Sequence, residues 1–122
     1  MKIVTSCDGL LADLLDEGFD FFAGVPDSGL AAFIRDIEAL PREMHVTATW
    51  EAEAVGLAAG AYLAGKKPCV YMQNAGLGHA VNPLASLCVP YGIPVRLVIG
   101  HRHSPHQYRR PGEYQLLPPN AD

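Results

Sequence analysis

Apolar residues in this chain follow two rhythms, and the switches between them mark out its elements. Leu10, Leu11, Leu14 and Leu15 recur at helical spacing, so Thr5–Glu17 is predicted to be a helix capped by Ser6 and ended by Gly18. Phe19–Val25 follows as a short aromatic strand that runs into the turn Pro26-Asp27-Ser28-Gly29. Helical spacing returns with Leu30, Phe33, Ile34 and Ile37, which predicts a helix over Gly29–Leu40 with Asp27 or Ser28 as its N-cap and Pro41 as its stop. His45–Thr49 is β-branched and predicts a second strand.

The next stretch has no polar face. Ala54–Ala64 carries no charge, and a helix apolar on every side is predicted to be buried all round. Glu51 and Glu53 stand at its head, pointing to opposite sides. A buried carboxylate must be paired, protonated or chemically employed; periodicity does not rank the two. Lys66-Lys67-Pro68 is a turn, and Cys69–Gln73 is a continuous apolar strand of the parallel-sheet kind. The glycine-rich turn Asn74–Gly78 opens a helix to about Tyr91, where Pro83 is tolerated within the first turn or so and Gly92 marks the end. Pro94–Gly100 is the fourth strand. After Gly100 the periodicity is lost, so the chain divides into a domain over 1–100 and a His/Arg loop with an extended tail over 101–122.

Strands alternating with helices predict an α/β fold: a three-layer open parallel sheet with helices on both faces. Ligands of such sheets sit at the carboxyl ends of the strands. The Gly24–Gly29 turn, the Thr49–Glu51 junction, the Gln73–Gly78 turn and the loop after Gly100 all fall there.

Composition narrows the function. A net charge of −4 gives no reason to expect nucleic acid or an anionic membrane. No apolar run reaches membrane-spanning length and the N-terminus lacks the pattern of a signal peptide, so the cytoplasm is the expected location. The three cysteines form no CxxC pair, and Cys69 and Cys88 fall on apolar faces, as buried inert thiols do.

The turn Asn74–Gly78 suits an anion on backbone N–H groups, or a close approach by a ligand or subunit; it matches neither common nucleotide motif. His101, His103 and His106 have no standard zinc spacing, so no metal ligand is assigned. With Arg102, Arg109 and Arg110 they make either an anion-recognising loop or a solvated tail. Ser28 lies in PDSG rather than a nucleophile elbow, and a helix cap explains it, and Asp27, equally well.

Taken in order, GVPDS, then E-x-x-A-V-x-x-A-x-G, then QNAGLGHAVNPL and VIGHR resemble one family across roughly Leu11–Arg102. They are similar to the pyrimidine-binding domain of thiamine-diphosphate-dependent 2-oxoacid decarboxylases, nearest to those acting on phosphonopyruvate and sulfopyruvate. The resemblance implies that Glu51 shares a proton with N1′ of the cofactor's aminopyrimidine. That sharing promotes the imino tautomer, whose 4′-nitrogen takes the C2 proton of the thiazolium; the resulting ylid adds to a 2-oxo acid, and the ring accepts the electron pair as CO₂ leaves. A buried carboxyl shares a proton more readily than a solvated one. By the same resemblance Pro26, Asn74, Gly76, Leu77 and Gly78 line the cofactor, while Asp27, Ser28, His101 and Arg102 lie toward the substrate. Glu53 is left for a subunit contact.

The departures are local. Trp50 and Ala52 flank Glu51 where the family often has asparagine and usually glycine, and His103-Ser104-Pro105-His106 replaces the family's continuation after the arginine. The diphosphate signature, GDG followed by NN, does not occur; Asp8-Gly9 after Cys7 has no such sequel. The expectation is therefore the small subunit of a split decarboxylase, with Mg²⁺ and diphosphate held mainly by a partner chain in a hetero-oligomer, α₂β₂ or larger. Its substrate would be a 3-carbon 2-oxo acid with an anionic tail. A carboligase using the same cofactor, or a non-catalytic scaffold of the same fold, is the alternative.

Overall fold

Four strands form, β1 (Phe21–Gly24), β2 (His45–Thr47), β3 (Pro68–Gln73) and β4 (Arg96–Gly100), in a computed structural model that describes residues 6–101. All are parallel, in the order β2-β1-β3-β4. The helices are α1 (Leu10–Asp16), α2 (Ala31–Glu38), α3 (Glu51–Leu63) and α4 (Leu77–Pro83). The pleat sends Phe22, Cys69 and Tyr71 into a core with α1 and α2, and Ala23, Val70 and Met72 into a second core with α3 and α4. Helices thus cover both faces, as the alternation predicts.

Several boundaries differ from expectation, each for a local reason. The first helix starts at Leu10 instead of Thr5, because Gly9 adopts φ 73° and Ser6 bonds to Asp8 rather than capping a helix. The second begins as a 3₁₀ turn over Ser28–Leu30, and Asp27, though at its N-cap position, makes no side-chain cap bond. Pro83 is the seventh residue of α4, beyond the first turn. Lacking an N–H, it is followed by a π-helical turn over Leu84–Cys88, in which the Val89 N–H donates to the Leu84 carbonyl at 2.9 Å. Gly92, at φ 63°, then closes the segment as expected. The helix predicted to be buried all round is not. Ala54, Val55, Ala58 and Ala59 of α3 are buried, whereas Gly56, Gly60, Tyr62 and Leu63 face outward, because in this chain α3 packs only on the sheet and its neighbouring helix segment.

Gly24 holds the middle of the sheet together by having no side chain. It pairs in register with Thr47 on one side and Tyr71 on the other, and the Tyr71 ring lies across it to reach β2. There the Tyr71 hydroxyl meets His45 Nε2 at 2.8 Å. Phe33 packs edge-on to both Phe22 and Tyr71, with centroids 6.5 and 6.2 Å apart, a geometry contributing about 0.5–1.5 kcal/mol per pair.

Burial holds the His45 imidazole below its ordinary pKa, with Glu38 opposing it weakly, while burial raises that of the Tyr71 hydroxyl. His45 therefore stays neutral in the fold at pH values where it is protonated in the unfolded chain. Its contribution to stability is complete above its unfolded pKa of about 6.5 and is lost as pH falls through that value toward the folded one. The denaturation midpoint is expected to drop between pH 7.5 and pH 5.5, and the drop is expected to shrink in a His45→Phe variant. Equal pH dependence in the two proteins would contradict this account.

Candidate functional site

In the order β2-β1-β3-β4 the connections after β1 and β3 leave in opposite directions, so the carboxyl ends of β1 and β3 flank the switch point where open α/β sheets bind ligands. The turn after β1 is tied to β3 by the Val25 N–H donating to the Tyr71 carbonyl at 3.2 Å. The exit of β2 is tied to β1 by the Ala48 N–H donating to the Gly24 carbonyl at 2.9 Å. These bonds fix where the next helices begin.

Glu51 is the first residue of α3, where the helix dipole favours an anion, and it is buried at 6 % exposure. Its carboxyl group rests against Gly76: a Cβ on that glycine would overlap the Glu51 Cγ, Cδ and Oε1. Its other oxygen, Oε2, lies 3.0 Å from His79 Nδ1 in the first turn of α4. The Trp50 ring stands beside that imidazole with centroids 6.1 Å apart. The site is thus a buried carboxylate, a glycine cradle and an exposed imidazole and indole at the rim.

Glu53, expected at a subunit contact, also closes the head of α3 on its own chain. It is exposed, and its Oε2 accepts both the Thr49 N–H and the Thr49 hydroxyl at 2.6 Å. These bonds hold its carboxyl below the ordinary carboxylate range. The depressed value means that the cap is present above pH about 4.5 and is lost as pH falls through the folded pKa. Its position is third in the helix, but the N-cap is Trp50 and the bonded Thr49 lies one residue earlier, so the S/T-x-x-E signature of a capping box does not occur here.

A second grouping forms at the ends of β1 and β4. Asp27 is buried with its carboxylate against Gly100 and Gly29, while Pro26, Ser28 and His101 are exposed. Around the cradle, Asn74 and Leu77 are half-buried, and Gly78 is exposed with no heavy atom within 4 Å of where its Cβ would stand. Arg102, His103, His106, Arg109 and Arg110 lie outside the described residues. Among the described residues no cluster of three metal-ligating side chains occurs, and no helix is long and apolar enough to cross a membrane. Burial pushes the Cys69 thiol up to about 12, and it also raises those of Cys7 and Cys88, as inert thiols require. His79 was missed by the sequence reading; a lone histidine in an exposed helical turn gives no periodic signal, and only the fold carries it to Glu51.

Comparison with known proteins now bears on what this carboxylate faces. The profile of the thiamine pyrophosphate enzyme N-terminal TPP binding domain matches residues 6–117. The chain belongs to this family. It is 43 % identical over 99 residues to the sulfopyruvate decarboxylase subunit alpha of Methanothermobacter thermautotrophicus, covering 81 % of this chain and 60 % of that protein. The corresponding subunit of Methanocaldococcus jannaschii is 44 % identical over 89 residues, covering 73 % and 53 %. The phosphonopyruvate decarboxylase of Streptomyces viridochromogenes is 39 % identical over 107 residues, covering 88 % of this chain and 27 % of that enzyme. The chain therefore spans a little over half the length of the alpha subunits it matches.

Membership in this TPP-binding family gives the Glu51–Gly76 contact a meaning that packing alone does not. The residues fit the group: a buried carboxyl oxygen can hold a ring nitrogen, and a glycine cradle keeps backbone within reach of a flat heterocycle. Gly76 has φ −69° and ψ −18°, which suit alanine, so a Gly76→Ala change acts only by steric pressure on Glu51. It is expected to cost roughly 1–3 kcal/mol of stability as Glu51 is displaced. A denaturant midpoint equal to that of wild type would show that the cradle is looser than described.

Proposed function

We propose that this chain is the pyrimidine-side subunit of a split thiamine-diphosphate-dependent carboxy-lyase. The observation that carries the reading is the buried Glu51 carboxyl, seated on Gly76 at the switch point of a sheet of the TPP-binding family. Glu51 holds N1′ of the aminopyrimidine and shares a proton with it. Backbone atoms of Asn74, Gly76, Leu77 and Gly78, together with Pro26, line the ring. Thiamine diphosphate, when bound, supplies the carbanion equivalent that adds to a ketone and stores the electron pair released with CO₂. The rest falls to this chain: Glu51 keeps the proton at N1′, and the α3/α4 layer keeps water from that end.

The substrate we propose is a 3-carbon 2-oxo acid with an anionic tail, 3-sulfopyruvate or 3-phosphonopyruvate. The names of the relatives support this choice. Ser28 and His101, exposed at the ends of β1 and β4, lie toward the anionic end, and Asp27 sets the turn next to them; the family resemblance assigns Arg102 to the same task. A partner chain completes the site in a hetero-oligomer and holds the diphosphate and Mg²⁺. The designation of the relatives as alpha subunits supports it, as does the apolar outer layer, where Leu63 and Val89 are 75 % and 76 % exposed. The assembly is placed in the cytoplasm.

Product analysis of the reconstituted complex tests the reaction. With either substrate and no acceptor, CO₂ and the corresponding aldehyde are expected in equal amounts. Product that forms only when an acyl or aldehyde acceptor is added would replace the lyase reading with a carboligase.

A further inference from the structure

Trp50 and His79 meet at the rim of Glu51. We propose that His79 is a positioning residue whose Nδ1–H holds one oxygen of the Glu51 carboxyl, leaving the other to share the proton with the cofactor ring. This role rests on the functional reading given above and adds a residue to it.

The geometry constrains the carboxyl from two sides. Gly76 abuts the Cγ, Cδ and Oε1 of Glu51, and His79 Nδ1 stands 3.0 Å from Oε2. The side chain of Glu51 is 7 % exposed and that of His79 is 63 % exposed, so the imidazole reaches in from the rim. The indole of Trp50 stands beside the imidazole, tilted 44° to it with centroids 6.1 Å apart. Without the imidazole, Oε2 would lose the hydrogen bond from His79, and the carboxyl could turn about its terminal torsion, which is broad for glutamate. A carboxyl free to turn offers the ring nitrogen a mixture of orientations, and misplacement of about 1 Å at such a group costs roughly a hundredfold in rate.

His79→Asn keeps an N–H donor near the position of Nδ1, whereas His79→Leu keeps bulk and removes the donor. In the complex with the partner chain, His79→Leu is expected to weaken thiamine diphosphate binding by about tenfold, measured by calorimetry, and His79→Asn to restore it to within about threefold of wild type. Equal affinities for wild type and His79→Leu, or no recovery with Asn, would overturn the role. A second readout needs no cofactor. In the full-length chain at pH 8, nitrogen NMR of His79 is expected to show the Nδ1–H tautomer, and Glu51→Ala is expected to shift it toward Nε2–H; an unchanged tautomer would overturn the pairing itself. A wild-type complex that binds no thiamine diphosphate would overturn the functional reading and this role with it, and the tautomer measurement separates that failure from failure of the pairing.

Discussion

Glu51→Gln is expected to lower kcat of the reconstituted complex by about 10³-fold, equivalent to roughly 4 kcal/mol of transition-state stabilisation. The substitution conserves shape and removes the group that exchanges a proton. The amide still fits beside Gly76, and its oxygen still accepts from His79, so folding is expected to survive. The thermal midpoint is accordingly expected to stay within about 3 °C of wild type, the shift given by a change of less than 1 kcal/mol in a domain of this size. Full activity in the Gln variant would remove Glu51 from the chemistry. Loss of activity together with loss of folding would instead assign it a structural task.

The second large effect concerns the sheet itself. Gly24→Ala places a methyl group into the Tyr71 carbonyl and within 2.5 Å of the ring Cγ, and neither can move freely. The carbonyl belongs to the central strand β3 and accepts the Val25 N–H, while the ring is fully buried and bonded to His45. Relief requires β1 and β3 to separate or Tyr71 to leave its core, which is expected to cost about 3 kcal/mol or more. Urea denaturation of the two proteins measures it directly. A loss below about 1 kcal/mol would mean that the ring is not pinned across Gly24.

The same two glycines show how much of the molecule could be read from its residues. Gly24 was placed where the strand Phe19–Val25 meets the turn Gly24–Gly29, and Gly76 within the turn Asn74–Gly78, but sequence cannot tell a glycine that turns the chain from one that makes room. Gly24 proves to be in a strand under Tyr71, and Gly76 in right-handed helical conformation under Glu51. The layers and the parallel sheet were legible because period-2 and period-3.6 patterns report which side of each element is buried. Boundaries at Gly9 and after Pro83 were not, since they depend on one backbone angle and one missing N–H. The uniform apolarity of α3 predicted burial on every side, whereas this chain buries only the face that carries Ala54, Val55, Ala58 and Ala59. Of the site, Glu51 was singled out by its place at the head of an uncharged run together with the family resemblance. Its partner His79 lies 28 residues away and is brought to it only by tertiary packing.

The central claim, half of a thiamine diphosphate site built around Glu51, is tested most directly by calorimetric titration of thiamine diphosphate with Mg²⁺. The titration is made into this chain alone and into its complex with the diphosphate-side partner. Saturable binding is expected in the complex and not with the chain alone, and Glu51→Gln is expected to weaken it. A wild-type complex that assembles but takes up no thiamine diphosphate would contradict the account and leave this chain as a scaffold of the same fold.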